Sequence, residues 1–331
     1  MNPSLNQTGL RNQAARKVAI TDCDHANINE EIAVFEQENI QCDLYQLLQT
    51  RELVENLQDY EVLINQYARF TPEVFAGLPN LKVIIRYGVG LNNIDIPVAT
   101  AHNVRVCNVP DYGIQEVASH ALTLMLALER KIVPLTQSVR DLVWDYSLSM
   151  PVRRFSNLTI GIVGTGRIGK AFARMVQPLF KRVIAWDPKY HSARGDVPEF
   201  VEMVTFDTLL AESDIISIHS NYETSAGLFN KAALEAMKKD ATLINVSRGG
   251  IIIESDLAEA LRKHIIAAAA VDVAEIEPLP KNSLLRECPN FLCTPHMAWY
   301  SEQASSDLKT KVAEEAARFL NGQPLRDCVN I

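Results

Sequence analysis

Short apolar runs alternate with amphipathic segments along almost the whole chain, and this alternation predicts the secondary structure. In the first part of the chain, the predicted strands span residues 17–21, 43–47, 61–65, 82–86 and 104–107. The predicted helices span residues 28–38 and 51–57, and a third begins at Thr71-Pro72-Glu73 with proline at its first position. Strands that alternate with helices favour parallel pairing, with helices on both faces of the sheet.

The same alternation returns in the second part of the chain. Predicted strands span residues 158–163, 182–186, 214–219, 241–246, 267–273 and 291–294, and predicted helices span 232–238, 254–261 and 305–321. Between the two series, residues 114–140 form a very apolar helical pattern. Because it is apolar on all sides, we expect one buried helix, between two lobes or against a second subunit. Residues 141–157 show no clear period.

A glycine-rich turn follows the strand at residues 158–163 and precedes a helical pattern from Lys170. The turn reads Gly164-Thr165-Gly166-Arg167-Ile168-Gly169, a G-x-G-x-x-G motif in the strand–turn–helix context that gives it meaning. Gly164 permits the tight turn, Gly166 lets the backbone approach a pyrophosphate, and Gly169 lets the helix pack closely on its strand. The pyrophosphate would be bound by Gly164, Gly166, Arg167, Ile168 and Gly169 at the positive end of the helix dipole.

An acidic residue, Asp187, ends the next strand, near the spacing of about 20 residues seen in dinucleotide sites. Its carboxylate can accept hydrogen bonds from the ribose hydroxyls, and its charge disfavours a 2′-phosphate. We therefore predict NAD as cofactor. NADP remains the alternative, because Lys189, His191 and Arg194 follow closely and can hold a phosphate. The alternative is a tight packing turn followed by a solvent-facing acid.

These patterns predict an α/β protein with two doubly wound parallel-sheet lobes. Residues 108–298 are assigned to a Rossmann cofactor domain. Residues 1–107 and 299–331 are assigned to a discontinuous, flavodoxin-like substrate domain, to which the last helix returns. The role of residues 1–16, which are polar and aperiodic, is left open.

Composition narrows the class of protein. The chain has 331 residues, 47% of them apolar, and a net charge of −8, which argues against nucleic-acid binding. No apolar run is long enough to cross a bilayer and the N-terminus lacks a signal-peptide core, so we expect a cytoplasmic protein without a membrane partner. The six cysteines form no C-x-x-C pair and no metal-ligand cluster, so reduced thiols and no metal are expected.

Three polar side chains follow strands of the predicted cofactor lobe, where ligands of open parallel sheets bind. Arg248 stands in NVSRGG, Glu277 in VDVAEIEP and His296 in CTPHMAWYS. Histidine suits proton transfer near neutral pH, a carboxylate beside it favours the imidazolium, and arginine can hold a substrate carboxylate with two parallel bonds. Taken singly, His296 is more typical of a structural histidine, Arg248 of a surface ion pair and Glu277 of an ordinary loop acid. The functional interpretation depends on all three following strands of the same sheet.

The chain resembles the D-isomer-specific 2-hydroxyacid dehydrogenase family over nearly all of its length. The matching stretches are RYGVGLNNIDI, NVPDYGIQEVASHALTLMLALER, GIVGTGRIG, NVSRGG, VDVAEIEP and TPHMAWYSEQAS. Within that family, TPHMAWYSEQAS and the C-terminal DCVN are most similar to the branch of the C-terminal-binding proteins, with phosphoglycerate dehydrogenases nearby. Formate dehydrogenases resemble the chain less, since they carry an amide where Glu277 stands.

The resemblance implies roles for individual residues. It implies Arg248 as the substrate-anchoring residue, His296 as acid/base, Glu277 as its partner and Asp272 beside the nicotinamide amide. It also implies a homodimer formed through the cofactor lobe. The remaining residues assigned to substrate or cofactor on this basis are Tyr87, Gly88, Val89 and Gly90 for the substrate carboxylate, Trp299 for the substrate side-chain pocket and His219 at the cofactor cleft.

Two features stay open. Trp299 has simple packing as its alternative, and Arg86, Arg153 and Arg154 are candidates for a substrate phosphate, although basic side chains are more often solvated. The sequence does not identify the acid, the physiological direction or strict use of NAD.

We therefore expect an NAD-dependent oxidoreductase that interconverts a small D-2-hydroxy acid and its 2-oxo acid. The alternative, from a different class, is a dimeric NAD(H)-sensing binding protein of the corepressor type with little turnover. A screen of 2-oxo acids with NADH separates the two.

Overall fold

The structure, a computed structural model, describes residues 16–189 and 197–330. The chain divides into two compact units, one made of Met1–Tyr112 and Glu302–Ile331 and the other of Gly113–Ser301. The domain boundaries expected from the sequence, after residues 107 and 298, fall a few residues before these. The N-terminal arm, His191 and Arg194 lie outside the described residues.

The first unit is built from five strands and the helices that connect them. In chain order these are β1 (Lys17–Ile20), α1 (Asn29–Gln37), β2 (Gln41–Leu44), α2 (Thr50–Leu57), β3 (Val62–Asn65), α3 (Pro72–Gly77), β4 (Val83–Arg86), α4 (Ile96–Ala101) and β5 (Arg105–Cys107). The strands pair in parallel in the order β2-β1-β3-β4-β5, the flavodoxin-like order.

The centre of this first sheet is apolar because it is covered on both faces. All four residues of β3 are buried, which explains why its first three residues, Val62–Ile64, are consecutively apolar rather than alternating. Phe70, Phe75 and Leu53 pack against it from the connecting segments and are almost fully buried. Large apolar side chains of this kind contribute about 2 kcal/mol each when buried.

The second unit repeats the strand–helix pattern on a larger scale. In chain order it contains α5 (Ile114–Glu129), α6 (Ile132–Arg140), β6 (Thr159–Val163), α7 (Arg167–Val176), β7 (Arg182–Trp186), β8 (Val201–Met203), α8 (Phe206–Glu212), β9 (Ile215–Ile218), α9 (Tyr222–Ser225), α10 (Lys231–Ala236), β10 (Thr242–Asn245), α11 (Glu254–Arg262), β11 (Ala268–Val271) and β12 (Phe291–Cys293). Its strands are all parallel, in the order β12-β11-β10-β9-β6-β7-β8. This is the Rossmann order, so the predicted fold class is confirmed.

The prediction of one buried helix over residues 114–140 is wrong. The helix ends at Glu129, and a second begins at Ile132 after Lys131, whose φ of 51° lies in the left-handed region. In α5 one face is buried, with Ala118 and Met125 inaccessible to solvent, whereas α6 buries no residue within the chain. Lys131 is neither glycine nor proline, so the local sequence carries no signal for the break.

The last helix, α12 (Glu302–Leu320), packs on α1 and β4 within the first unit. Its buried positions include Leu308, Val312 and Ala316, which recur at helical spacing along one face. Sequence patterns missed α4, β8, α8 and α9, which are short, between three and seven residues long. Within the described residues, no helix is both long and apolar enough to span a membrane.

Candidate active site

The glycine turn lies where the strand order of the second sheet reverses, between β6 and β9. Gly164 has a φ of 96°, and a Cβ atom there would come within 2.7 Å of the Ser220 nitrogen. Only glycine fits this position, because the turn passes directly over the end of β9. A Cβ atom on Gly166 would meet nothing within 4 Å, so the backbone there faces open space. That space is what a close approach by a pyrophosphate requires.

Helix α7 begins directly behind this open space. Gly166 is its N-cap and provides no side-chain hydrogen bond to the first-turn N–H groups. Arg167 is exposed and Ile168 half-buried, while Gly169 is packed against the Gly164 carbonyl oxygen. Amide groups left without a side-chain cap at the positive end of a helix suit a phosphate group, so the residues fit a dinucleotide.

Asp187 follows β7 and holds the glycine turn. Its Oδ2 accepts hydrogen bonds from the Thr165 amide at 2.7 Å and from the Thr165 hydroxyl at 2.9 Å. Its Oδ1 accepts from the Lys189 amide at 2.8 Å. A carboxylate has about four acceptor positions, so capacity remains for a ribose hydroxyl. The assignment of Asp187 to the ribose stays a prediction.

His219 follows β9 and is kept neutral by its surroundings. Burial lowers the pKa of His219 to about 3. Its Nε2 is 2.9 Å from the Ser217 hydroxyl, and its ring packs against Phe172 in a tilted arrangement. Its Nδ1 atom is buried and has no hydrogen-bond partner among the described residues. A buried polar atom of this kind at the strand end beside the glycine turn suits a bound ligand, which supports the predicted cofactor role.

Glu277 and His296 form a hydrogen-bonded pair beyond the ends of β11 and β12. His296 Nδ1 lies 2.6 Å from Glu277 Oε2, and the Ala274 amide donates to Glu277 Oε1 at 3.0 Å. Burial opposes ionisation of Glu277, but the hydrogen bond and charge of His296, the Ala274 amide and the charge of Arg248 outweigh it, so the pKa of Glu277 is lowered. Both side chains remain accessible, at 44% for His296 and 38% for Glu277.

Arg248 lies in the same part of the second unit, because its loop packs on the loop that carries Glu277. A Cβ atom on Gly249 would come within 1.9 Å of the Ala274 carbonyl carbon, so only glycine permits this approach. The Arg248 carbonyl accepts a hydrogen bond from Asn245 Nδ2 at 2.8 Å. The Arg248 side chain donates from Nη1 to the Ser247 carbonyl at 2.6 Å. The structure thus places the three residues expected to do chemistry at one edge of one sheet.

Asp272 is the buried centre that holds the loop of His296. It is 1% exposed, and it accepts hydrogen bonds from the Met297 amide at 3.0 Å and the Ala298 amide at 2.8 Å. The Thr294 hydroxyl donates to its Oδ1 at 2.5 Å. Its carbonyl accepts from the His296 amide at 2.8 Å. His296 has a φ of 53°, a conformation that persists only where such contacts fix it.

His120, on α5, extends this network and was missed by the sequence patterns. Its Nε2 is 2.9 Å from the Thr294 hydroxyl and 3.6 Å from Asp272 Oδ1. The partners are far apart in sequence, so no local spacing could reveal them. Trp299, a few residues on, is half-buried and packs edge-on against Tyr300, with its backbone against Gly113. Its role in a substrate pocket stays a prediction.

The loop after β4 belongs to the first unit and is held from within it. The Tyr87 hydroxyl donates to the fully buried Glu31 at 2.7 Å, and the Tyr87 amide donates to the Asn65 carbonyl at 2.8 Å. Both groups of Tyr87 are therefore committed inside the unit. Among the four residues assigned to the substrate carboxylate, the amides of Gly88, Val89 and Gly90 are the better candidates.

Arg153 and Arg86, two of the candidates for a substrate phosphate, have different surroundings. Arg153 forms ion pairs with Glu129, Asp214 and Asp240 in the second unit, so it fastens the chain to the sheet and a phosphate role is disfavoured. The Arg86 guanidinium lies directly over Gly88, where a Cβ atom would meet its Nη1 at 2.0 Å. In the part of the chain that the structure describes, no group of three His, Cys, Asp or Glu side chains could hold a metal ion.

The strand order, the glycine turn and the residues at the strand ends define a dinucleotide-binding α/β protein with a hydrogen-bonded histidine–glutamate pair beside its second sheet. The model of the D-isomer specific 2-hydroxyacid dehydrogenase NAD-binding domain matches residues 122–298. The chain belongs to the D-isomer-specific 2-hydroxyacid dehydrogenase family.

Relatives of known name agree with this assignment. The D-3-phosphoglycerate dehydrogenase of Archaeoglobus fulgidus is 34% identical over 307 residues, which cover 92% of this chain and 58% of that protein. The chain therefore spans little more than half the length of this relative. The similarity to the branch of the C-terminal-binding proteins stays a prediction.

Solved structures resemble the chain over 95% of its length. The NAD-dependent formate dehydrogenase of Staphylococcus aureus, in complex with NAD, has a TM-score of 0.82 and 27% identity, covering 95% of this chain and 98% of its own. The apo D-lactate dehydrogenase of Escherichia coli has a TM-score of 0.80 and 27% identity, covering 95% and 99%. The two-sheet architecture is thus shared with dehydrogenases of differing substrates.

Proposed function

We propose that this protein is an NAD-dependent D-2-hydroxyacid dehydrogenase that also works as a 2-oxoacid reductase. The observation that carries the proposal is the 2.6 Å contact between His296 and Glu277 at the same sheet edge as Arg248 and the glycine turn. A proton-transfer group, an anion-binding group and a dinucleotide turn are the parts that hydride transfer to a 2-oxo acid needs.

In the direction of reduction, the residues of the chain bind and orient the acid and move one proton. Arg248 donates two hydrogen bonds to the substrate carboxylate, which holds the C2 carbonyl toward His296. His296 donates the proton on Nε2 to the carbonyl oxygen, while Glu277 accepts from Nδ1 and stabilises the imidazolium before transfer. A bound NADH would supply the hydride that C2 receives. In oxidation His296 takes the hydroxyl proton back.

In the first unit, the amides of the loop after β4 are the candidates for binding an anion such as the substrate carboxylate. The N–H groups of Gly88, Val89 and Gly90 follow a parallel strand, and within the described residues they donate no backbone hydrogen bond of the kind that the Tyr87 amide makes. Successive amides of this kind suit an anion. Trp299 would border the side chain of the acid, and its size would limit which acids are accepted.

Asp187 supports NAD over NADP. Its carboxylate lies at the end of β7 and keeps acceptor capacity beyond the bonds from Thr165 and Lys189. A 2′-phosphate at that position would meet a negative charge, whereas ribose hydroxyls would donate to it.

The second unit carries the surface for a homodimer in this proposal. Helix α6 and the segment after it expose large apolar side chains, with Leu142 at 93% and Trp144 at 90% accessibility. Exposed apolar surface on this scale marks an interaction site. Within the chain α6 buries nothing, so a second copy would supply the contacts that the apolar pattern predicts. The free thiols suit the reducing cytoplasm, where we place the protein.

The test is a panel of 2-oxo acids with NADH, repeated with NADPH. The panel contains glyoxylate, hydroxypyruvate, a branched, an aromatic and a phosphorylated acid, the last because the curated relatives are named D-3-phosphoglycerate dehydrogenases. Turnover of at least one acid, faster with NADH than with NADPH, is expected. NADH binding without turnover of any acid would contradict the enzyme and favour the NAD(H)-sensing protein.

A further inference from the structure

The C-terminal segment runs antiparallel to β5 and places two cysteines side by side. The Val329 amide donates to the Val106 carbonyl at 2.9 Å, and the Asn108 amide donates to the Asp327 carbonyl at 3.4 Å. Cys107 and Cys328 are the residues paired between these two bonds. They therefore occupy a non-hydrogen-bonded pair, the closer of the two kinds of antiparallel pair.

This register is compatible with a disulfide between the two thiols. In a non-hydrogen-bonded pair the Cα atoms are about 4.5 Å apart and the side chains lie on the same face of the ladder. Disulfides span Cα separations of about 4.4 to 6.8 Å. Burial raises the pKa of Cys107, and the neighbouring Cys328 raises it further, as expected for thiols in direct contact.

Contacts around the pair hold the segment in this register without a covalent bond. Asn330 Oδ1 accepts from the Val106 amide at 2.9 Å, and Asn330 Nδ2 donates to the Val104 carbonyl at 2.9 Å. The Arg326 amide donates to Glu315 Oε1 at 2.6 Å. The two thiols are therefore aligned in the reduced protein, so little conformational entropy remains to be lost on cross-linking.

No other cysteine of the described strands is paired in register with a second cysteine. Cys42 is in register with Val18 and Cys293 with Val271, so neither faces a second thiol across its strand. Among the strand pairings of the described residues, Cys107 and Cys328 are the one pair of cysteines in register.

We propose that Cys107 and Cys328 form a reversible intramolecular disulfide, a modification site that fastens the C-terminal segment to β5. The oxidant is a low-molecular-weight disulfide such as glutathione disulfide. Cys328 is half-buried and Cys107 fully buried, so the Cys328 thiolate attacks first, forms a mixed disulfide and releases one glutathione. The Cys107 thiolate then attacks the Cys328 sulfur and releases the second glutathione. Both electrons pass to the oxidant, which leaves as two thiols.

The cross-link would also change the covalent topology of the chain. Residues 108–327, which include the whole of the second unit, would lie inside one covalent loop. Such a loop restricts the unfolded chain and prevents the C-terminal segment from separating from β5. Both cysteines belong to the first unit, and the proposal does not depend on the dehydrogenase activity.

The experiment equilibrates the full chain with glutathione disulfide at about pH 8, where thiol exchange is rapid. Remaining thiols are then alkylated under denaturing conditions, and intact mass and peptide maps are recorded. We expect a loss of two hydrogen atoms and one cross-linked peptide pair containing Cys107 and Cys328, both reversed by a dithiol reductant. Amide exchange at Val329 should slow in the oxidised protein.

Two variants sharpen the result. Cys328→Ser should lose the cross-link entirely, whereas Cys293→Ser, which removes an exposed thiol elsewhere, should form it as the wild type does. If Cys107 and Cys328 of the wild type are both still alkylated after equilibration, or are linked to other cysteines or only to glutathione, the proposal is overturned. The wild-type peptide map decides even if a variant does not fold.

Discussion

Each unit contains a buried carboxylate that accepts hydrogen bonds from a loop at the end of a parallel strand. The two loops differ in the side chains that are connected to the carboxylate. In the first unit, Asp22 is 1% exposed and accepts from the amides of Gln66, Tyr67 and Ala68. In the second, Asp272 is equally buried and accepts from the amides of Met297 and Ala298.

The difference lies in what each carboxylate is connected to. The Asp22 network continues into the amides of Asn65 and Asn93, groups that carry no charge. The Asp272 network fixes the backbone of His296, whose imidazole meets a second carboxylate, Glu277, at an accessible position. A buried acid that orders a loop is thus common to both units, and the proposed chemistry belongs to the loop that also carries an accessible histidine–glutamate pair.

Replacing His296 by alanine tests the proposed acid/base role of the loop held by Asp272, and this change has the largest expected effect. We expect 2-oxo acid turnover to fall by about a thousandfold, because general acid catalysis is lost, while NADH binding measured by fluorescence stays close to wild type. His264→Ala is the matched control, since His264 also has a left-handed φ, of 52°, and lies on the surface. Wild-type rates in His296→Ala would refute the assignment.

Replacing Asp272 and Asp22, one at a time, by asparagine tests whether the two buried carboxylates differ in their effect on activity. Asn can no longer accept at both oxygens, so Asp272→Asn and Asp22→Asn should each lower the free energy of unfolding by about 2 kcal/mol. Displacement of the His296 loop should also lower kcat by about a hundredfold in Asp272→Asn.

Asp22→Asn is the control for that experiment, with stability read from urea unfolding and kcat from NADH oxidation. A loss of kcat in Asp22→Asn as large as in Asp272→Asn, at equal stability, would remove the distinction between the two loops.

Asp187 is a third acid that holds a strand-end loop and is predicted also to bind a ligand. Asp187→Ala should shift the ratio of kcat/KM for NADH over NADPH by about tenfold toward NADPH, because one charged acceptor for the ribose is lost. Thr165→Val keeps the charge and removes one hydrogen bond to the same carboxylate. If both variants change the ratio equally, or neither does, Asp187 acts only on the turn.

Glu277→Gln removes the negative charge that lies beside the His296 imidazole. Reduction needs the imidazolium, and a neutral amide favours it less, so the alkaline fall of kcat/KM should move about one pH unit lower. Because the pKa of Glu277 is lowered, its ionised carboxylate stabilises the fold at pH values above the ordinary pKa of about 4.3. This stabilisation is lost as the pH falls through the lowered pKa.

The variant should therefore lose less stability in acid than the wild type does, as followed by thermal unfolding at several pH values. An unchanged pH profile of kcat/KM would mean that Glu277 does not influence the proton on His296.

Sequence patterns predicted the parts of the molecule that local physics determines. The strand, glycine turn and helix at residues 158–176 follow from apolar periodicity and from the steric freedom of Gly164, so the fold class was predictable. The break at Lys131 was not, because a left-handed lysine has no local signature and is fixed by its surroundings.

The candidate site divides in the same way. Arg248, Glu277 and His296 could be named because they follow strands of one predicted sheet. The contacts that fix them could not, since His120, Asp272 and Thr294 meet only after the chain folds. The Cys107–Cys328 pairing is likewise a product of tertiary structure, set by where the C-terminal segment joins β5.

The most direct test of the catalytic account is a crystal structure with NADH and oxamate, a non-reacting analogue of a 2-oxo acid. The account predicts the oxamate carboxylate on Arg248, its carbonyl oxygen within hydrogen-bonding distance of His296 Nε2, and Glu277 still bonded to Nδ1. Oxamate bound away from Arg248, or a Glu277 side chain turned away from His296, would contradict it.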